Sequence, residues 1–338
     1  MTRTLTVLRA GPGTSIQDQG RPGYLAYGVS RGGAADLVAL SEGAVLLQQS
    51  PKCAAIEMAG LGGEFQASED MRIALTGAEM TAKIDGQALR WNASHLLPKG
   101  AVLSIGATRA GSYGYLHLGG GLATEMRLGS RSAHLAAGLG GGLETGQVLP
   151  VGMDAGAVIG HGIRPIERMG AGTVRVVASL QTHLFKSVLQ RFEKTEFTKD
   201  FRGNRMGVRM RSDGPGFALE GALSVLSEVI SPGDIQITGD GSPFVLLSEC
   251  QTTGGYPRIG TVLPCDLPRV AQARPGETLQ FHFVSMADAL EAERRHRAEL
   301  AALPGGLFPL IRDPHDIGDL LSYQLISGMI AGTEKDAP

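Results

Sequence analysis

The chain has 338 residues, which suggests about two domains, and 49 of them are glycine while only 5% are aromatic. This composition favours tight turns and packed backbone over long helices. The 31 basic and 33 acidic residues give a formal net charge of −2 with no block of like charge, which argues against nucleic-acid binding.

The cysteines and the apolar segments predict a cytoplasmic protein. Cys53, Cys250 and Cys265 form an odd set without paired or metal-ligand spacing, so we expect neither disulfides nor a metal site. Residues 1–17 lack the apolar core of a signal peptide. The most apolar late segment, residues 320–332, is too short to span a bilayer.

Short runs in which apolar and polar residues alternate predict a mainly β fold. This period of two, typical of half-buried strands, occurs at residues 72–76, 115–118, 235–238 and 279–283. The pairs Asp85-Gly86 and Asp240-Gly241 lie between apolar runs and predict hairpin turns. Because His117 and His282 fall within these strand patterns, we interpret them as structural residues.

Helical patterns are few. They are expected at residues 37–47 behind an Asp36 cap, at residues 184–192 behind a Thr182 cap, and at residues 286–303 behind a Ser285 cap. The third has a thin apolar stripe, which indicates a surface helix. One more helix is possible at residues 317–330.

The order of these elements predicts two β units in tandem. We place the first at residues 1–165 and the second at residues 166–287, with the junction near Pro165 to Gly172. A surface helix and a tail rich in proline and glycine follow at residues 288–338.

Familiar catalytic signatures are missing from the sequence. It contains no phosphate-binding G-x-x-x-x-G-K-[ST] loop, no G-x-S-x-G nucleophile turn and no Met-Lys-Met biotin-attachment motif. The glycine triplets at residues 119–121 and 140–142 do not follow the G-x-G-x-x-G pattern. Because the Met-Lys-Met motif is missing, we expect no covalent biotin on this chain.

The first candidate site is a polar, glycine-rich segment at residues 13–36. It carries Gln17, Asp18 and Arg21 among glycines that allow close backbone approach to a ligand. An Asp18–Arg21 pair that only ties down the loop explains the segment equally well.

Two further segments complete the candidate set. In LGSRSAH, residues 128–134, Arg131 could bind an anion, although an arginine on a turn explains it better. In SECQTTGGYP, residues 248–257, a loop after a buried strand favours binding over a simple turn. Its candidate residues are Gln251, Thr252, Thr253, Gly254, Gly255 and Tyr256.

These segments together resemble the family known as allophanate hydrolase subunit 2 or the C subunit of 5-oxoprolinase, which includes the carboxyltransferase region of urea carboxylase. The resemblance covers about residues 4–290. The motifs that carry it are GTSIQDQGRPG, GGAAD, the Ile56-Glu57 region, TGAEMTAKIDG, LGSRS, the turn at residues 204–207, QTTGGYP and DLPRVAQARPGETLQF.

The resemblance implies a fold and a function. The fold is mainly β, with two cyclophilin-like β-barrels in tandem, a few short helices, a C-terminal helical tail and a ligand site between the barrels. The function is that of a C subunit which, with A-type and B-type subunits and ATP, opens the lactam of 5-oxoproline to glutamate. The alternatives are a carboxyltransferase that uses biotin carried on another chain, and a non-enzymatic antagonist that sequesters a B-type kinase inhibitor.

Within this resemblance we assign roles to the candidate residues. Asp18 is expected to act as a base or to position water, while Gln17 and Arg21 orient polar substrate groups. Arg131 and Arg205 are expected to bind a carboxylate or phosphate. The 251–255 segment would donate hydrogen bonds, and Tyr256 would form a wall. The chain departs from the family pattern at Glu249-Cys250, where Asp-Arg is usual, and at Ala133.

Overall fold

A computed structural model describes residues 3–219 and 226–311, and its first half is built around one large antiparallel sheet. Its strands in this half are β1 (Thr4–Ala10), β2 (Ser15–Gln17), β3 (Ala55–Ala59), β4 (Gly63–Ala67), β5 (Met71–Ile84), β6 (Gln87–Ala88), β7 (Ala93–Leu97), β8 (Val102–Leu118), β9 (Val148–Pro150) and β10 (His161–Gly162). Side chains from β1, β3, β4, β5, β8 and β9 meet in a single apolar core. The long strands β5 and β8 pair along most of their length and form the centre of the sheet.

Seven strands of the second half close into a barrel. In chain order, the strands of this half are β11 (Gly172–Val177), β12 (Glu196–Lys199), β13 (Gly207–Arg211), β14 (Glu228–Val229), β15 (Asp234–Ile237), β16 (Pro243–Leu246), β17 (Thr253–Gly254), β18 (Arg258–Val262) and β19 (Thr278–Phe283). Parallel pairing of β11 with β19 closes the barrel, and β14 pairs with β17 in a separate ribbon. The barrel core includes Phe192, Phe197 and Phe281, whose rings lie 4.9–5.5 Å apart.

The mainly β fold expected from the sequence is confirmed, including both hairpin turns. Asp85 and Gly86 join β5 to β6 with positive φ angles of 46° and 85°, the conformation that a two-residue hairpin needs. The turn containing Asp240-Gly241 joins β15 to β16. The last strand within the described residues, β20 (Phe308–Pro309), pairs with β10, so this segment returns to the first sheet. The division at residues 165–166 and 287–288 stays a prediction.

Two of the three expected helices are confirmed, and one is wrong. The α1 helix (Leu37–Leu47) is capped by Asp36, and a later helix (Met286–Ala302) is capped by Ser285. The helix expected behind Thr182 is instead a 3-10 turn followed by the short α2 helix (Leu189–Lys194). Thr182 does not cap it: its hydroxyl accepts from the Ser179 amide at 2.7 Å and donates to the Ile259 carbonyl of the barrel at 2.7 Å.

A further short helix, α3 (Leu267–Gln272), was not predicted by any sequence pattern, and the Met286–Ala302 helix is therefore α4. The possible helix at residues 317–330 lies outside the described residues. No helix within residues 3–219 and 226–311 is long and apolar enough to cross a membrane.

His117 is a structural residue, as its strand pattern predicted. Its Nε2 lies 2.7 Å from Thr76 Oγ1, which donates to the Ala39 carbonyl. His117 lies on β8, and its ring packs against Gly43 of α1 so closely that a Cβ at residue 43 would lie 2.3 Å from it. Burial lowers the pKa of His117 to about 3.

This histidine should make the stability of the protein depend on pH. An unfolded histidine takes up a proton near pH ~6.5 and the folded His117 does not, so the free energy of unfolding falls as the pH drops between those two pKa values. The expected slope is up to about 1.4 kcal/mol per pH unit. In urea unfolding at about pH 7 and about pH 5, the His117→Gln variant should lose this part of the pH dependence. Identical pH dependence in the variant would contradict the assignment.

Candidate functional site

A cleft of about 620 Å³ lies where the two halves of the protein meet. Residues between Gln19 and Ser41 of the first half form one wall. The barrel contributes residues 247–248 and 264–268, and α4 contributes residues 293–300. A cavity of this size can enclose a small-molecule ligand, and sites between domains are common places for one.

The cleft combines apolar walls with a positive charge. Its apolar lining comes from residues such as Leu25, Val29, Leu37, Leu247 and Leu300. The described residues that line it include three arginines (Arg21, Arg31 and Arg297) and one acidic residue, Glu293. This arrangement favours a ligand with an apolar body and a negatively charged group.

A buried ion network joins the two halves beside the cleft. The Nε of Arg205, which precedes β13, donates to Glu249 Oε1 at 2.5 Å, and its Nη1 pairs with Glu57 of β3. Its Nη2 donates to the Gly33 carbonyl. Burial alone would lower the pKa of Arg205, but Glu57 and Glu249 outweigh it and raise the pKa above its usual value.

These contacts favour a structural role for Arg205, and its role in binding a substrate carboxylate or phosphate stays a prediction. All three nitrogens of its guanidinium group are engaged within the chain, and only 7% of the residue is exposed. Its position instead fixes how the barrel sits on the first sheet.

Sequence reasoning missed a buried histidine next to this network. His134 Nδ1 accepts from the Ala137 amide at 3.2 Å, so its Nε2 carries the proton and donates to Ser30 Oγ at 2.8 Å. Glu249 Oε2 lies 3.8 Å from Nδ1. Burial lowers the pKa of His134, and Glu249 opposes this effect without overcoming it. The imidazole is therefore neutral near pH ~7. The sequence feature that could have indicated this site is Glu249, which stands where the family usually has an aspartate.

The carboxylate of Asp18 is occupied by donors from the chain itself. It accepts hydrogen bonds from the Gly20 and Arg131 amides at 2.8 and 2.7 Å, and from the Ser130 and Ser132 hydroxyls at 2.6 and 2.5 Å. The first two candidate segments are thus brought together. These contacts favour a role for Asp18 in holding the LGSRS turn, and its role as a base stays a prediction.

Gln17 and Arg21, the other candidates of the first segment, have different hydrogen-bond partners. Gln17 is fully buried, and its Nε2 donates to Ser15 Oγ and to the Ala133 carbonyl. Arg21 does not form a hydrogen bond with Asp18, as a simple loop tie would require; it donates to the carbonyls of Ser132 and Arg127. Arg21 is the member of the predicted set that lines the cleft.

The remaining candidates, Arg131 and the segment Gln251–Tyr256, do not line the cleft. Arg131 Nη1 donates to the Thr124 carbonyl at 2.6 Å. Arg131 also borders a separate cavity of about 200 Å³, together with Gly140–Gly142. Within the segment Gln251–Tyr256, β17 pairs with β14. The expectation that Asp18 and this segment contribute to one ligand site between the halves stays a prediction.

The glycine triplet at residues 119–121 does not fit the phosphates of ATP. A Cβ at Gly119 would lie 2.0 Å from the carboxylate of Asp154, which is paired with Arg72, so this side chain already fills the space beside the glycine. We therefore assign this turn no part in holding ATP.

Comparison with known proteins shows close relatives. Residues 27–283 match the family described as carboxyltransferase domain, subdomain A and B. The chain is 33% identical to the C subunit of 5-oxoprolinase from Haemophilus influenzae over 291 residues, which cover 85% of this chain and 93% of that protein. It is 31% identical to the C subunit of 5-oxoprolinase from Escherichia coli over 309 residues, 88% of this chain and 97% of that protein.

A solved structure shares the fold. The urea carboxylase of Kluyveromyces lactis superposes with a TM-score of 0.78 at 22% identity. The match covers 92% of this chain and 31% of that much longer protein.

Proposed function

Because the chain belongs to the carboxyltransferase domain family, subdomains A and B, we propose that it is the C subunit of an ATP-dependent complex that opens the lactam of 5-oxoproline to glutamate. The observation that carries the proposal is the likeness to the C subunits of two 5-oxoprolinases over nearly their whole length. The cleft agrees with it, since 5-oxoproline is a small ring that carries one carboxylate, and the cleft has apolar walls and a positive charge.

The chemistry explains why other subunits are needed. A lactam carbonyl is a poor electrophile, and transfer of the γ-phosphoryl group of ATP to its oxygen creates a phosphate leaving group. Water can then attack the carbon and the ring C–N bond breaks, which leaves an acyl phosphate. A second water hydrolyses the acyl phosphate to the carboxylate of glutamate and phosphate, and ADP is the other product. In this proposal the present chain holds the ring acid, while A-type and B-type subunits hold ATP. A cytoplasmic location also remains a prediction.

The isolated chain should not hydrolyse ATP. Purified alone it is expected to show no turnover with 5-oxoproline, because the nucleotide site lies on the partners. Turnover that depends on 5-oxoproline should appear when the A-type and B-type subunits are added. The measurement is phosphate release with 5-oxoproline, urea or buffer. Robust turnover by the isolated chain, or turnover by the complex without 5-oxoproline, would refute the subunit assignment.

The description of the matching family favours one second candidate. A carboxyltransferase would take a carboxyl group from biotin carried on another chain and pass it to an amide such as urea. The same assay separates the two, because only the carboxyltransferase reaction would require a biotinylated chain and would be stopped by avidin.

A further inference from the structure

The side of α4 that faces the cleft carries charged residues. The residues of this helix that line the cleft are spaced three and four apart and therefore share one side: Glu293, His296, Arg297 and Leu300. The alanines at 289 and 292, one turn earlier, are buried against the rest of the chain. Because the side of a surface helix that faces the protein is usually apolar, the charges of Glu293 and Arg297 on it need a physical reason.

Glu293 and Arg297 do not neutralise each other. A glutamate four residues before an arginine is well placed for an ion pair, since their Cβ atoms lie about 5–6 Å apart. The described part of α4 contains other contacts of this kind, but none within 4 Å includes Glu293 or Arg297. Glu293 Oε1 instead accepts from the amide of Cys265 at 2.8 Å. This bond holds the carboxylate at the cleft wall, and most of its acceptor positions remain for a ligand.

A small acid with an N–H group beside its carboxylate matches these two charges. The N–H fits the carboxylate of Glu293, and the ligand carboxylate fits the guanidinium of Arg297, so that one helical turn reads both groups. The carbon skeleton then contacts Leu300 and the other apolar residues of the cleft. An acid without the N–H would be repelled by the negative charge of Glu293 and would gain nothing from it.

We propose that Glu293 and Arg297 form a recognition pair that selects small acids with an N–H group on the carbon next to the carboxylate. Glu293 accepts from the N–H, and Arg297 donates to the carboxylate. Both residues lie beyond the range 27–283 that matches the family, so the pair adds selectivity for the ligand to a shared fold. The choice of 5-oxoproline as the acid rests on the proposed function, whereas the pair itself rests on the geometry of α4.

The experiment measures binding to the full chain by calorimetry, with ring compounds that differ in one group. 5-Oxoproline has the ring N–H and the carboxylate. Its lactone counterpart has a ring oxygen in place of the N–H, and 2-pyrrolidone lacks the carboxylate. The wild-type chain is expected to bind 5-oxoproline at least roughly ten-fold more tightly than either of the others, because each lacks one charge-assisted hydrogen bond.

Glu293→Gln is the decisive variant. It keeps the shape of the side chain and an oxygen for the Cys265 amide, but an NH₂ group that cannot accept replaces the second carboxylate oxygen. Binding of 5-oxoproline should weaken by roughly ten-fold or more. Binding of the lactone acid should stay the same or tighten, because a negative charge is removed from the cleft. A purely structural role of Glu293 would weaken both acids alike.

Arg297→Gln tests the other half of the pair. It should weaken the binding of both acids and leave that of 2-pyrrolidone unchanged, because only the acids have a carboxylate. Glu291→Gln and Arg294→Gln are the matched controls. Both residues are exposed on α4 and are not among the described residues that line the cleft, so neither variant should change the binding of any probe.

N-Acetylalanine, an acyclic acid with the same N–H and carboxylate, separates the pair from the proposed function. If it binds with the expected dependence on Glu293 and Arg297 while 5-oxoproline does not bind, the pair stands and the proposed function is refuted. If 5-oxoproline binds equally well to the wild type and to Glu293→Gln, or if the lactone acid loses as much affinity, the pair is overturned and the proposed function remains. Binding of neither acid with an N–H group to the wild-type chain also overturns the pair.

Discussion

Replacing Arg205 by methionine is expected to lower the free energy of unfolding by about 3–5 kcal/mol. The change leaves Glu57 and Glu249 buried without a counter-charge, with side-chain exposures of 0% and 2%. Glu57 keeps two neutral donors, the Tyr115 hydroxyl at 2.6 Å and the Ala35 amide at 2.8 Å, which reduce the loss but do not neutralise the charge. Urea unfolding of the wild type and the variant measures the difference.

Two variants control this result. Arg205→Lys keeps the positive charge but cannot reach Glu57, Glu249 and Gly33 at once, so its loss should lie between those of the wild type and Arg205→Met. Arg209→Met removes a partly exposed pair with Asp240 and should cost no more than about 1 kcal/mol. If Arg205→Met were no less stable than Arg209→Met, the buried network would not join the halves as described.

Arg168→Met should have a loss of similar size, about 3–5 kcal/mol, at the junction between the halves. Arg168 Nε donates to Asp36 Oδ2 at 2.6 Å, and its two Nη atoms donate to Glu42 at 2.8 and 2.7 Å. Asp36 caps α1 and also accepts from Gln272 of α3 at 2.7 Å. Loss of Arg168 therefore weakens the helix cap and the contact with the barrel together.

The loss in Arg168→Met should also depend on pH. Burial raises the pKa of Glu42 and Arg168 opposes this effect, so without Arg168 the folded-state pKa rises further above its unfolded value. A carboxyl group whose pKa is raised in the folded state contributes to the free energy of unfolding in acid. This contribution is lost as the pH rises through the folded-state pKa. The deficit of the variant is therefore expected to be larger at about pH 8 than at about pH 5.5. The exposed pair Arg9–Glu64 offers a control, Arg9→Met, with a small loss at both values.

Local sequence signals predicted the local parts of the fold. The caps at Asp36 and Ser285 and the turn at Asp85-Gly86 each depend on atoms within a few residues of one another, and all three are present. The helix expected behind Thr182 is not formed, because the threonine hydroxyl accepts from the Ser179 amide and donates to the distant Ile259 carbonyl. A local helix-capping preference is overridden when tertiary contacts use the side chain that would form the cap.

The site was harder to predict because its parts come from distant positions. Of the candidate residues that the motifs indicated, Arg21 lines the cleft. The partners of each side chain could not be inferred: Arg205 meets Glu57, which lies 148 residues away in the sequence, and Ser30 meets His134 across 104 residues. Polar residues that looked available for a substrate, such as Asp18, are instead satisfied by backbone amides and hydroxyls of the LGSRS turn.

A crystal structure of the chain with 5-oxoproline tests the central claim most directly, namely that the cleft between the halves is the ligand site. The account predicts the ligand inside the cleft, with its ring against the apolar walls and its carboxylate towards the arginines that line it, Arg21, Arg31 and Arg297. A ligand bound elsewhere on the chain, or bound in the cleft with its carboxylate turned away from these arginines, would contradict it.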